Sequence, residues 1–594
     1  MPFRAITPRL FADRRITLVL FASIFLSFFF FFRDNVEDAY HAIPIDRKSG
    51  PSGFAIPPKR PDDPDVVELD YIAVRPKKAE WSKSFWNIPY AAPTYGKNRF
   101  RGPQPLGRTF DGVVEFNGKV AMCPNIQKID HTLRNREDIA PEDVLGLDTE
   151  RTEDCLSLHV FTPIDAEAGD DLPVCVVIPG GGFHLPGRSS GADMVEKSRG
   201  KKDKGIIVVT MYYRNGIYGF LSGEQIKEGG DFNNGLRDQR ASLEWVQKYI
   251  RYFGGNPDRV TLMGTSAGGA SAVLQLTAKE GDHSFSVPGT GKRQLFHGLI
   301  AQSPAAPTFY TPEQQQKFWN EVATGLNCTD LSIECVRNAS VGDLYYENYP
   351  MSFPDRKTPP RWMWAPSPEP KGGLWTEPAT EAIFGGRYAK VPSIIGYTSN
   401  EGTDQVKKET DNEGMFKTYL KDHYPLLTDE DLDFLHKQYP NDRHWPDSGA
   451  YWDAVSKAQG DLRYICPTYL TSNAMAENNP AAVKTYQYQW DVVWDPDLEN
   501  GYGTKHAASV GQVMARPPNE VSDYFISFIK HLDPNIDRPK GGVKWEPLNM
   551  RRHKRLFFTN RKVRNRITVT SESMDMPREA RCKEVKRLMP RLQQ

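Results

Sequence analysis

The chain has 594 residues, 39% of them hydrophobic and 11% aromatic, with 75 basic side chains matched by 75 acidic ones. Large α/β enzymes often exceed the usual domain length as one decorated unit, so this size and apolar content predict one large catalytic domain around a substantial core. The balanced charge creates no global field to attract polyanions, and composition gives no support for a nucleic-acid partner.

In chain order, the first feature is Ile16 to Phe32, an uncharged apolar run of about seventeen residues, at the lower limit for a membrane-spanning helix. Arg4, Arg9, Arg14 and Arg15 precede it, and no small-x-small cleavage site follows before Arg33 and Asp34. This predicts a signal anchor over residues 1–33, with a cytosolic N-terminus and a luminal or extracellular body, the topology of a single-pass type II membrane protein. The alternative is a cleaved signal peptide and a secreted chain; either reading directs it into the secretory pathway.

Residues 34–76 are polar and proline-rich, which predicts a stem. Between about Val113 and Met263, strand-like runs at Val174 to Ile178, Gly205 to Tyr213 and Val260 to Met263 alternate with helical patterns such as the amphipathic Gly235 to Phe253. Such alternation predicts an α/β fold, a mostly parallel central sheet with helices on both faces, within a catalytic body over 77–550. The irregular, aromatic and proline-rich stretches after Pro307, among them Pro359 to Pro370, are expected to be insertions that shape the entrance to the site. Residues 551–594, dense in Arg and Lys, are expected to form a solvated basic tail or helix.

Seven cysteines fit an oxidising compartment. Cys123 and Cys155 flank one polar stretch and Cys328 and Cys335 another, so two loop-closing disulfides are expected. Cys175, within an apolar run, is expected to be a buried thiol, and Cys466 and Cys582 are left unpaired. Asn327 and Asn338 begin glycosylation sequons, which matter if this part is luminal.

The chemistry centres on Gly264-Thr265-Ser266-Ala267-Gly268, which follows the strand Val260 to Met263 and precedes the helix-compatible Gly269 to Gln275. A nucleophile elbow needs this strand, turn and helix, with glycines that let both elements pack around a strained serine. A serine hydroxyl is a poor nucleophile at neutral pH and needs a base and a place for the oxyanion. Gly181 and Gly182, in Pro179-Gly180-Gly181-Gly182-Phe183, together with Ala267, are the expected backbone donors of an oxyanion hole. The plain alternative is a Gly-rich turn or a phosphate loop, although no Lys-Ser or Lys-Thr follows.

In such folds the acid and then the histidine follow the serine in the chain. Glu401 lies just past the apolar strand Val391 to Gly396, where a loop can present a carboxylate to the cleft; the alternative is an ordinary exposed glutamate. Among later histidines, His423 and His436 sit in charged helix-like segments, His531 in the helix Ser522 to Leu532 and His553 in the basic tail. His506 follows the strand Val483 to Trp490 in a Gly-rich loop and is the expected general base, against the alternative of a surface histidine.

From about Trp86 to Leu532 these segments resemble the type-B carboxylesterases, the family of cholinesterases, fungal extracellular lipases and fungal esterases. The strongest element is the run from Phe253 to Gly268, which fits the family's serine signature at every fixed position; Glu153-Asp154-Cys155-Leu156 looks like the second signature, with Ser157 and His159 in place of the usual residues. The resemblance implies a triad of Ser266, Glu401 and His506, disulfides Cys123–Cys155 and Cys328–Cys335, ion pairs Arg99–Glu153 and Arg214–Asp238, and hydrolysis of carboxylic esters without metal or organic cofactor. Ser509 and Thr265 stand where many members carry acidic residues, which implies altered tuning. The Cys123 to Cys155 segment has no tryptophan, with which cholinesterases hold a cationic substrate, and this argues against choline esters. The alternatives are a lipase acting on long-chain esters or a non-catalytic cholinesterase-like adhesion domain.

Overall fold

The computed structural model describes residues 63–125, 151–187, 189–287, 291–353, 356–360, 362–549, 553–561 and 566–594. The expected signal anchor over 1–33 and most of the expected stem lie outside the described residues. Among the described residues, no helix is long and apolar enough to cross a membrane.

An eleven-stranded sheet organises the body. In chain order its strands are β1 Lys77–Lys78, β2 Ser82–Pro89, β3 Ser157–Pro163, β4 Leu172–Ile178, β5 Ile207–Met211, β6 Gly255–Thr265, β7 Gly298–Gln302, β8 Ser393–Thr398, β9 Thr485–Asp491, β10 Arg555–Thr559 and β11 Thr568–Glu572. Their spatial order is β11-β10-β9-β8-β7-β6-β4-β5-β3-β2-β1. From β5 across to β10 every pairing is parallel, and antiparallel strands close both edges.

Parallel strands covered on both faces read as unbroken apolar runs, and β4, Leu-Pro-Val-Cys-Val-Val-Ile, is buried along its whole length. Its alternate side chains feed two separate cores: Val174, Val176 and Ile178 join one cluster, Cys175 and Val177 the other. Helices α1 Asn234–Tyr249 and α2 Ala267–Thr277 cover the first face. A third cluster lies beneath α3 Trp452–Gly460, α4 Cys466–Asn478 and α6 Met576–Leu592, while α5 Val521–His531 packs against the second.

Two expected boundaries are corrected. Within the expected stem, Val66, Leu69, Ile72 and Val74 are buried, and Val67–Glu68 pairs with Ala73–Val74; these apolar residues were hidden among prolines and charges. The expected basic tail is part of the fold: it supplies β10, β11 and α6, with Cys582, Val585, Leu588 and Leu592 buried at helical spacing. Two of its arginines pair with upstream carboxylates, Arg591 with Asp431 and Arg581 with Asp461. Cys466 and Cys582, left unpaired from sequence, form a disulfide 116 residues apart that joins α4 to α6. Cys123–Cys155 and Cys328–Cys335 are also bonded, and Cys175 is a buried free thiol.

Candidate active site

Ser266 sits between β6 and α2 with φ 59° and ψ −123°, a conformation strained for any residue with a β-carbon. The turn requires glycine on both sides. A β-carbon on Gly264 would lie 2.1 Å from the carbonyl oxygen of Gly268, and one on Gly268 would lie 2.1 Å from that of Ile178. Strand and helix therefore approach closely enough to push the serine out of the turn, the geometry expected of a nucleophile elbow.

Two loops from neighbouring strands bring the other side chains in. Glu401 follows β8 and His506 lies in the loop after β9. Asn400 N–H donates to Thr504 O at 3.1 Å, Thr504 N–H returns a bond to Asn400 Oδ1 at 3.0 Å, and Thr403 Oγ1 donates to Tyr502 O at 2.7 Å. This zipper sets His506 over the serine: Nε2 lies 2.8 Å from Ser266 Oγ, and Nδ1 lies 2.5 Å from Glu401 Oε2. Glu401 is fully buried, and its second oxygen accepts the Thr398 N–H at 2.7 Å. Burial drives the Tyr488 phenol well above its ordinary value against an opposing Ser509 hydrogen bond, and Glu401 adds to the rise, so the neighbour beneath the carboxylate stays neutral.

The glycine loop after β4 runs past the elbow. A β-carbon on Gly180 would lie 3.1 Å from Ser266 Cβ, and Gly181 and Gly182 hold φ of 128° and 63°. Ala267 is the first residue of α2, where a helix amide has no partner within the helix and the dipole favours negative charge. Among the described residues, no group of three His, Cys, Asp or Glu side chains is arranged to hold a metal ion.

The sequence profile of the carboxylesterase family matches residues 71–577. The chain belongs to the carboxylesterase family. This carboxylesterase is 29% identical over 491 residues to Lipase 1 of Geotrichum candidum, covering 76% of this chain and 84% of that protein. Secreted lipase 1 of Botryotinia fuckeliana (strain B05.10) is 30% identical over 507 residues, covering 78% of this chain and 83% of that one. The crystal structure of Aspergillus niger EstA superimposes with a TM-score of 0.77 at 26% identity, over 89% of this chain and 99% of EstA. The α/β-hydrolase fold and a carboxylic ester hydrolase follow from these matches.

The remaining residues named from sequence fall in definite places. Arg99 holds Glu153 through two bonds of 2.7 Å, and Arg214 holds Asp238 at 2.8 and 2.6 Å, all buried and away from the serine. The alternative histidines are engaged elsewhere: His423 stacks on Tyr419, His436 faces Glu413, His531 pairs with Asp537 and His553 reaches Asn473. Asn327 and Asn338 are exposed. Ser509 is buried between Tyr488 and Gln302, donating to Gln302 Oε1 at 3.4 Å.

Sequence reading missed two aromatic residues at the site. Trp362, in the expected entrance insertion, places its Nε1 2.2 Å from where a Gly182 β-carbon would stand, and Tyr464 packs on the ring of His506. The proline-rich setting of Trp362 hinted at an entrance without selecting the residue, and Tyr464 lies in a buried helical segment of mixed composition with no local signal.

Proposed function

We propose that this carboxylesterase hydrolyses esters through an acyl-serine intermediate, with Ser266 as nucleophile, His506 as general base and Glu401 as the acid that fixes the imidazole. The observation that carries the reading is the continuous hydrogen-bonded line from Glu401 Oε2 through His506 to Ser266 Oγ, at 2.5 and 2.8 Å. His506 takes the hydroxyl proton as Ser266 attacks the ester carbonyl, and the amides of Gly181, Gly182 and Ala267 receive the negative oxygen. The alcohol leaves with the proton from His506, and water activated by the same base releases the acid. Glu401 holds Nδ1–H and stabilises the imidazolium.

Ser266→Ala tests the reading. Hydrolysis of p-nitrophenyl esters is expected to fall by at least a thousandfold with the thermal midpoint kept, and an unchanged rate refutes it. The second reading, a lipase for long acyl chains, is favoured by the names of the Geotrichum and Botryotinia relatives. A chain-length series from acetyl to oleoyl esters separates the two. Three disulfides and two exposed sequons support a chain that matures in the secretory pathway, with a signal segment in residues 1–33 and a catalytic body that includes Val66 to Val74 and the former tail.

A further inference from the structure

The helical segment from Trp452 to Asn478 contains a π-turn over Asp461–Ile465, between α3 and α4. Such turns insert a residue into a helix, redirect side chains and recur at functional sites. Three side chains leave this one in different directions. Asp461 accepts from Arg581 of α6 at 3.1 Å, and Arg463 donates to Ala306 O at 2.7 Å and Thr308 Oγ1 at 3.2 Å in the loop after β7. Tyr464 turns to the catalytic loop, its ring centroid 4.4 Å from that of His506 with the planes inclined at 42°.

Tyr464 is fully buried and held at its far end. Its hydroxyl accepts from Gln405 Nε2 at 2.8 Å, Gln405 Oε1 accepts from Gln459 at 3.2 Å, and Gln459 Oε1 accepts from Tyr424 at 3.3 Å. Gln405 also follows Glu401 in the same loop. The ring is thus fixed against an imidazole whose two nitrogens are already committed.

We infer that Tyr464 is a positioning residue for the general base. Its ring confines the imidazole of His506 to the line between Glu401 and Ser266 and favours the imidazolium formed when the serine proton is transferred. An aromatic face attracts a cation within about 6 Å of its centre and gives a neutral imidazole far less, so the contact strengthens as the reaction proceeds. Glu401 lies at Nδ1 and Ser266 at Nε2. Lys505, next to His506 in the chain, is paired with Asp497 at 2.9 Å, and the Arg463 guanidinium stands over Trp362 and Tyr424 at 5.1 and 5.0 Å. The ring and the carboxylate therefore act on the imidazolium from different directions. This role rests on the proposed triad.

The test compares full-length wild type, Tyr464→Phe and Tyr464→Leu on a soluble short-chain p-nitrophenyl ester, across pH. Phenylalanine keeps the ring, so kcat is expected within about threefold of wild type with the acid limb of kcat/KM unmoved. Leucine removes the aromatic face: kcat is expected to fall about 3- to 30-fold with KM nearly constant, and the acid limb to move down by about half to one pH unit. A leucine variant that changes KM alone, or keeps the wild-type acid limb, overturns the inference. So does a phenylalanine variant as impaired as leucine, which places the effect in the hydroxyl network. Should leucine fail to fold, Tyr464→Met carries the same comparison. Fluorophosphonate labelling of wild type separates the two levels: if Ser266 does not react, the triad itself fails, whereas full labelling with an unmoved acid limb in the leucine variant removes only the role of Tyr464.

Discussion

Glu401 and His506 are 105 positions apart in the chain, and the carboxylate Oε2 stands 2.5 Å from the imidazole Nδ1 while Oε1 is held by the Thr398 amide. The second bond makes the orientation of the side chain predictable. In Glu401→Gln the amide oxygen is expected to keep the Thr398 N–H, which turns the NH2 group toward Nδ1 and imposes the tautomer with a proton on Nε2. That nitrogen then cannot accept from Ser266. The expected loss in kcat is roughly a thousandfold to ten-thousandfold with the fold intact, measured by steady-state hydrolysis, and a loss below tenfold contradicts the assigned role.

Gly182, whose amide is one of the proposed oxyanion donors, has no room for a β-carbon, which would lie 2.2 Å from Trp362 Nε1. Gly182→Ala is expected to displace the loop and lower kcat by roughly 100- to 1000-fold, the size of effect seen when an oxyanion donor is lost. Trp362→Ala opens the space beside Gly182 and is expected to raise activity on longer acyl chains relative to acetyl esters. An unchanged chain-length profile in that variant removes Trp362 from the substrate space.

The Cys466–Cys582 bond closes a loop of 116 residues and fastens α6 to the π-turn and α4. In the chain-entropy account a loop of that length contributes up to about 5 kcal/mol. Cys466→Ser/Cys582→Ser is expected to lower the urea midpoint clearly while the folded variant still reacts with a fluorophosphonate. An unaltered midpoint contradicts an anchoring role for the bond.

His159 is buried on β3 with its Nδ1 accepting the Asn87 amide at 3.0 Å, and burial pushes the imidazole down to about 4 from 6.5. Between those values the unfolded chain binds a proton that the folded chain refuses, so the contribution of His159 to stability is constant above about pH 6.5 and declines as pH falls toward 4. In His159→Gln the thermal midpoint is expected to fall less over that window than in wild type. Burial also pushes His283 and His297 down, so the slope should shrink rather than vanish. Parallel midpoint curves for the two proteins would falsify the assignment of part of the slope to His159.

Those elements that depend on local pattern were legible in the sequence. The buried strands β4 and β6 announced themselves as apolar runs, and the Gly-x-Ser-x-Gly elbow needs its glycines for contacts within a few residues. Glu401 and His506 were reached through chain order and loop composition, since the zipper of Asn400, Thr403, Tyr502 and Thr504 that unites them is a tertiary contact. The same limit explains what was missed. A basic, amphipathic C-terminal segment looks like a solvated tail until Asp431 and Asp461, far upstream, neutralise its arginines and Cys466 bonds Cys582. Tyr464 touches His506 because a π-turn turns it there, and no spacing rule in one sequence reports that.

Peptide mapping by mass spectrometry after treatment with a fluorophosphonate measures the central claim most directly, because only a serine activated by its neighbours displaces the leaving group. One adduct per chain is predicted, on the peptide containing Ser266, together with complete loss of ester hydrolysis and no adduct in His506→Ala. An active enzyme with Ser266 unmodified, or labelled at another residue, would contradict it.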